Sequence, residues 1–278
     1  PDDNWGLVLS EHPSGGRLYS QYQPGQSVAA IPLYLLGRAV APFFPPDARA
    51  YVLRFCVGLF GAFVTAGTVA LLYRLAGALG YGERVAAALA AIYGLATFAW
   101  PYARTFYAEP LTTLLLLLSF YGIAKTEAGG RKAEVGPEEG EPPGPSATLV
   151  PPSVFRLPPS ALVSGLAAGL ALGVKPHAAL VLPCLGLYLL GRSLRGADWG
   201  TRGRTALPAV CAWGAGLAIG TVPLLLVNAA IYGGPLRTGY SAGRLSGLAA
   251  PFATGLYGLL LSSGKGFLWY SPPVLLAL

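Results

Sequence analysis

The chain has 278 residues, of which 54% are hydrophobic and 11% charged, and its formal net charge is +7. A soluble domain carries roughly 25% charged residues, and no soluble core needs so many apolar runs with so little polar surface to cover them. The composition therefore excludes an ordinary soluble fold and predicts an all-α, polytopic membrane helix bundle. The basic residues stand singly between apolar runs, which argues against a nucleic-acid-binding surface and assigns them to membrane topology.

The chain begins at Pro1, contains no methionine and ends at Leu278 inside an apolar run, so it reads as a fragment. Residues 1–48, expected to form an outer loop and a juxtamembrane helix, contain "RLYSQYQPGQSVAAIPLYLLGR", Arg17 to Arg38, a tyrosine-rich polar loop that turns into an apolar helix. The stretch 27–44 carries Pro32 and Arg38 and ends in "APFFPP", and is expected to lie as a juxtamembrane helix at the outer interface rather than to span. Hydropathy then predicts spans at about 49–77, 85–101, 106–124, 160–174, 177–191, 207–231 and from about 253, the last broken at Ser262-Ser263-Gly264. Together these form one transmembrane block over 49–124 and another over 160–278, the latter interrupted by an outer loop at 232–252. Between the blocks, residues 125–159 are rich in Pro, Gly and Glu, the composition of a disordered linker.

The loop charges alternate. Arg74, Arg84, Lys125, Arg131, Lys132, Arg156, Arg192, Arg195, Arg202 and Arg204 fall on one side, against Arg104, Lys175, Arg237 and Arg244 on the other. The richer side is cytoplasmic by the positive-inside rule, which puts the linker inside and 232–252 outside. Gly165, Gly169 and Gly173, and likewise Gly216 and Gly220, recur at four-residue spacing and predict close helix contacts. Cys56, Cys184 and Cys211 lie inside apolar segments, are odd in number, have no ligand-like spacing and read as small core residues.

Ionisable groups at helix mouths are the candidates for chemistry, because lipid makes each of them costly. "WPYARTFYAEPL" places Arg104 in a short outer turn and Glu109 at the next helix start. Glu109 suits the positive helix end before Pro110 and equally suits an outer cavity where a carboxylate orients a substrate. Arg104 and Lys175, the latter in "GLALGVKPHAALVLP", can either snorkel to head groups or meet a phosphate. His177 reads as interfacial; with His12 the only other histidine, metal-site spacing is absent, and a divalent metal is not indicated. In "GLYGLLLSSGKGFLWYSPPVLLAL", Lys265 lies between glycines, yet Leu259 and Gly266 break the phosphate-loop pattern. Trp269 and Tyr270 beside it fit an aromatic belt.

Those four stretches, in this order, resemble the GT-C superfamily of polyprenol-phosphate-sugar glycosyltransferases, in the branch of the protein O-mannosyltransferases and the lipid A aminoarabinose transferase. The resemblance covers most of the chain outside the linker. It implies an enzyme of the bacterial inner membrane that moves a sugar from a polyprenyl-phosphate donor to a lipid, glycan or protein acceptor at the outer face, with inversion. The family's principal acid follows a first membrane helix and is expected upstream of Pro1, leaving Glu109 as the second acidic position. The resemblance further assigns Tyr19, Tyr22 and Gln23 to the sugar. Where many relatives have a lysine in that loop, Gln21-Tyr22-Gln23 stands here, so phosphate binding passes to Arg104, Lys175 or Lys265, with Tyr270 nearby. A transporter or flippase for a lipid or small solute is the alternative, and a non-catalytic assembly subunit a third reading.

Overall fold

The computed structural model describes residues 9–11, 18–20, 22–126, 158–194, 199–238, 251–262 and 266–270. Most of the 125–159 linker, most of the 232–252 loop and Lys265 lie outside the described residues. The body is helical, as expected. The one addition is a three-residue antiparallel ladder, β1 (Leu9–Glu11) with β2 (Leu18–Ser20), in which Ser10 faces Tyr19.

The stretch expected to form a single interfacial helix folds in three pieces: α1 (Gly25–Ala29), α2 (Ile31–Val40) and a 3-10 turn at Ala41–Phe43. Pro32 and Pro42 each stand in the first turn of the piece they open, where a missing N–H costs no helical bond. α2 packs antiparallel along the first half of α3 (Arg49–Ala78). Ala30 belongs to one buried cluster with Phe60 and Val64 at one end, and Gly37 sits against Leu53 and Cys56 at the other. α3 has 30 residues, about 45 Å, with apolar side chains all round.

The helix expected over 85–101 is two helices, α4 (Glu83–Ala96) and α5 (Ala99–Tyr102). Thr97 breaks it by turning its backbone extended. Its Oγ1 donates to the Tyr93 carbonyl (2.6 Å) and accepts from the Ala99 N–H (3.2 Å), replacing the ladder locally. α6 (Ala108–Thr126) and α7 (Pro159–Val174) follow their expected bounds closely. The segment expected as 177–191 starts as a 3-10 turn, Pro176–Val181, and becomes α8 only at Leu182–Leu194. Pro176 disfavours helical backbone at Lys175, which is extended (φ −148°, ψ 112°). α9 (Trp199–Tyr232) begins earlier than expected and continues through Pro208 and Pro223. α10 (Phe252–Leu260) and α11 (Phe267–Tyr270) end the described chain.

α7 is the central helix, between α6 and α9. Gly165 and Gly169 approach α9 as their spacing predicts, whereas Gly173 does not: a Cβ at Gly165 would run into the Trp213 carbonyl and one at Gly216 into the Leu162 carbonyl, but one at Gly173 would reach only Leu224 Cβ at 4.0 Å. This closeness replaces side-chain interdigitation with backbone contact. On the α6 side, Ser164 Oγ donates to the Ser119 carbonyl (2.6 Å) and lies 3.0 Å from Ser119 Oγ, with both residues fully buried. Ile123, Ala161, Ala168, Leu189, Ala212 and Trp213 surround this seam.

Of the seven expected spans, two helical stretches among the described residues are long and apolar enough to cross a membrane: Arg49–Ala78 and Leu207–Tyr232. Pro159–Val174 and Pro176–Gly191 are apolar but shorter, and the extended backbone at Lys175 separates them. Large apolar side chains point outward from both long helices, with Phe63 63% and Leu226 64% exposed; of the three cysteines expected in the core only Cys56 is buried, while Cys184 on α8 and Cys211 on α9 lie on outward faces and are exposed.

Candidate functional site

The helix ends that the charge pattern placed on one side meet at one end of the bundle. The β2–α1 segment, the entry to α6 and the exit from α7 enclose a cavity of about 480 Å³. Ser20, Tyr22, Gln23, Gln26 and Ser27 come from the first, Phe106 to Glu109 from the second and Val174 to Pro176 from the third.

Each wall has a local cause. Glu109 lies in the first turn of α6, where its charge faces the positive end of the helix. Lys175 follows the last residue of α7 in extended backbone, its N–H still held by the Ala171 carbonyl (2.9 Å). Lys175 Nζ donates to Glu109 Oε1, and the pair is half-buried in the cavity wall. The turn before α6 is fixed on α3: Phe106 packs on Phe60 (centroids 5.8 Å), and a Cβ at Gly61 would meet the Ala103 and Thr105 carbonyls.

The first loop is tied down at three points. Tyr232 Oη donates to the Ser20 carbonyl at 2.7 Å. Gln23 Nε2 donates to Asn228 Oδ1 at 3.2 Å, and Asn228 Nδ2 donates to the Pro235 carbonyl at 3.1 Å. The Pro24-Gly25 turn lies so close to Gly173 that a Cβ at Gly25 would strike the Gly173 carbonyl, which explains the glycine at position 25. Gln23 and Gln26 are each 7% exposed, and Gln23 Oε1 and Gln26 Nε2 have no partner within the protein.

A second, apolar cavity of about 350 Å³ adjoins the first, with Gln23 and Val174 in the walls of both. Val28, Leu111, Leu115, Leu170, Leu224 and Val227 line it.

Of the expected site residues, Tyr22, Gln23, Glu109 and Lys175 converge on the polar cavity. Arg104 does not join them. Its guanidinium lies over the Trp100 ring, 5.1 Å from the centroid, because the tight turn after α5 points it back along that helix. Tyr19 stands in β2 and Tyr270 in α11; their side chains, like Lys265, lie outside the described residues. His177 is exposed in the 3-10 turn. Among the described residues no group of three or more His, Cys, Asp or Glu side chains is placed to hold a metal ion.

Gln26, Asn228 and Tyr232 escaped the sequence reading. Asn228 carried a usable signal: an amide in "VPLLLVNAAIY" must find a partner or bear the cost of an unpaired polar group in an apolar setting. No protein-family model, curated protein or solved structure matches the chain.

Proposed function

We propose that this protein is a multi-pass glycosyltransferase of the bacterial inner membrane that moves a sugar from a polyprenyl-phosphate donor to a hydroxyl acceptor at the outer face. The observation that carries this reading is the Lys175–Glu109 pair in the wall of a polar cavity that shares Gln23 and Val174 with an apolar one. A lipid phosphate bearing a sugar has that same division: a charged, hydroxyl-rich head beside a hydrocarbon tail. The outward-facing apolar side chains of α3 and α9 support a lipid environment, in which an exposed Phe63 or Leu226 needs no protein cover.

In this reading Lys175 takes the donor phosphate in exchange for Glu109, trading one charge-assisted hydrogen bond for another. Glu109, released from the lysine, faces the acceptor hydroxyl. The acceptor oxygen attacks the anomeric carbon as the carbon–oxygen bond to phosphate breaks. The bonding pair leaves with the polyprenyl phosphate, and a carboxylate takes the hydroxyl proton. Tyr22 offers a ring face and a hydroxyl to the sugar, and the apolar cavity offers its walls to the isoprenoid tail.

The test is transfer from a radiolabelled polyprenyl-phosphate sugar in liposomes carrying the protein, with donor concentration varied. Lys175→Ala is expected to raise the donor KM and Glu109→Gln to lower kcat. Parent-like transfer by both variants would remove the site from the reaction, and solute movement across the liposome without donor binding would replace enzyme by transporter.

A further inference from the structure

The chain from Ser20 to Val40 is anchored at successive levels of the bundle. Tyr232 holds the Ser20 carbonyl (2.7 Å), and Asn228, one turn further back along α9, meets Gln23 (3.2 Å). Gly25 then lies against Gly173, level with Leu224 one turn further back again. From Ser20 to Gly25 the chain therefore descends along about two turns of α9, roughly 12 Å. α2 climbs back along α3: Ala30 shares a buried cluster with Phe60 and Val174, and Gly37 sits against Leu53 and Cys56. Its ten residues rise about 15 Å.

Charge fixes which end of this excursion lies outside hydrocarbon. Between Ser27 and Phe60 the charged residues Arg38, Asp47, Arg49 and Arg54 all fall at the upper end, where the top of α2 meets the start of α3. Below them α2 turns Ile31, Tyr34, Leu35 and Leu36 outward, and α3 exposes Phe55. A helix lying on a membrane surface needs a polar face, and below Arg38 the Tyr34 hydroxyl is the one polar side-chain group of α2. So wide an apolar face calls for a cover. Arg54 and Arg74 stand about 30 Å apart along α3 with no charge between them, the thickness of a hydrocarbon core. Gly61, against which the turn before Glu109 packs, is about 10 Å below Arg54 on that scale.

We propose that residues 20–40 form a re-entrant loop, in which α2 stands in the outer leaflet and lipid acyl chains cover its exposed face. So placed, α2 is not the surface helix expected over 27–44, and the Lys175–Glu109 pair lies about 10 Å beneath the outer head groups. Non-helical backbone survives at such depth where protein buries it or a wet cavity borders it. Tyr22 and Gln23 line the polar cavity, and the Tyr22 N–H is held by Ser20 Oγ (3.2 Å). A ligand head must therefore leave the head-group plane to reach Lys175. The inference rests on the multi-pass membrane reading and is independent of the donor's identity.

The experiment places one nitroxide label at a time on the full chain in phosphatidylcholine liposomes, in a background lacking Cys56, Cys184 and Cys211. Ile31→Cys, Leu35→Cys and Ala39→Cys sample exposed positions along α2. Phe63→Cys on α3 is the hydrocarbon reference and Leu236→Cys, after α9, the water reference. Depth is read from collisions with oxygen against collisions with a water-soluble nickel chelate. Nickel contact is expected to rise in the order Phe63, Ile31, Leu35, Ala39, Leu236, with Ile31 about 12 Å deeper than Ala39 from the helical rise. Equal depths at Ile31 and Ala39, with Phe63 shielded, would lay α2 along the surface and refute the loop while the multi-pass reading stands. Nickel contact at Ile31 and Leu35 as free as at Leu236, with Phe63 shielded, would put α2 in water and refute it likewise. Contact at Phe63 as free as at Leu236 would remove the membrane reading, and this inference with it.

Discussion

Lys175 at the end of α7 and Glu109 in the first turn of α6 are 66 positions apart in the chain and form one ion pair in the cavity wall. Each was legible alone as a charge at a helix mouth. Together they form one ion pair in the wall of the polar cavity; in the proposed function its carboxylate holds the place of an incoming phosphate.

That competition has a kinetic signature. Glu109→Gln frees Lys175 from its internal partner, so the donor KM is expected to fall while kcat also falls. Lys175→Ala removes a charge-assisted contact of about 1.5–3 kcal/mol and is expected to weaken donor binding about 10- to 150-fold. Donor titrations of the two variants check the opposite directions; a rise in KM for both would refute the exchange.

Arg104 provides the contrast. Because its guanidinium lies on Trp100 and not in the cavity, Arg104→Gln is expected to leave the donor KM within about twofold of the parent, the modest size of an exposed cation–π contact. A loss comparable to that of Lys175→Ala would return Arg104 to the site.

Topology can be read at two exposed positions in a background lacking Cys56, Cys184 and Cys211. Leu236, in the turn after α9, and Tyr81, between α3 and α4, are 86% and 56% exposed. Leu236→Cys is expected to react with a membrane-impermeant thiol reagent in intact cells, and Tyr81→Cys only after permeabilisation. The reverse pattern would invert the charge-based orientation.

The α7–α9 seam predicts an asymmetry between glycines of one helix. Gly216→Ala drives a methyl into the Leu162 carbonyl, whereas a Cβ at Gly214 meets nothing within 4 Å. Gly216→Ala should destabilise by about 1–3 kcal/mol, and Gly214→Ala should be neutral or stabilise by up to about 1 kcal/mol. Unfolding titrations in mixed micelles measure both. Equal effects would show that the helices do not touch there.

On the other side of α7, Ser164 donates to the Ser119 carbonyl and so receives, rather than gives, the hydrogen between the two hydroxyls. Ser164→Ala strands the Ser119 hydroxyl and is expected to cost about 1–2 kcal/mol; Ser119→Ala leaves Ser164 satisfied and should cost less. The same titration ranks them.

Composition alone determined that the body is helical, and local chemistry determined most boundaries: Pro176 ends α7 through its effect on Lys175, and the four-residue glycine spacing marked the faces that α7 and α9 bring together. These features depend on neighbours within a turn or two, and the chain states them directly. The division of 85–101 at Thr97 was harder to see, since a threonine in a helix usually bonds back without breaking it, and its break rests on one side chain holding two backbone groups. Which charges meet was not legible at all. Arg104 and Lys175 looked equivalent as outer basic residues, yet one stacks on Trp100 and the other reaches Glu109. Likewise nothing near Gln23 announces Asn228, 205 residues away. Helix ends come together only once crossing angles and contact distances are set, here by the glycine seam of α7 with α9 and the serine pair of α7 with α6. Polar partners across such distances are therefore a property of the packed bundle, while periodicity, breaks and charge sign belong to the chain.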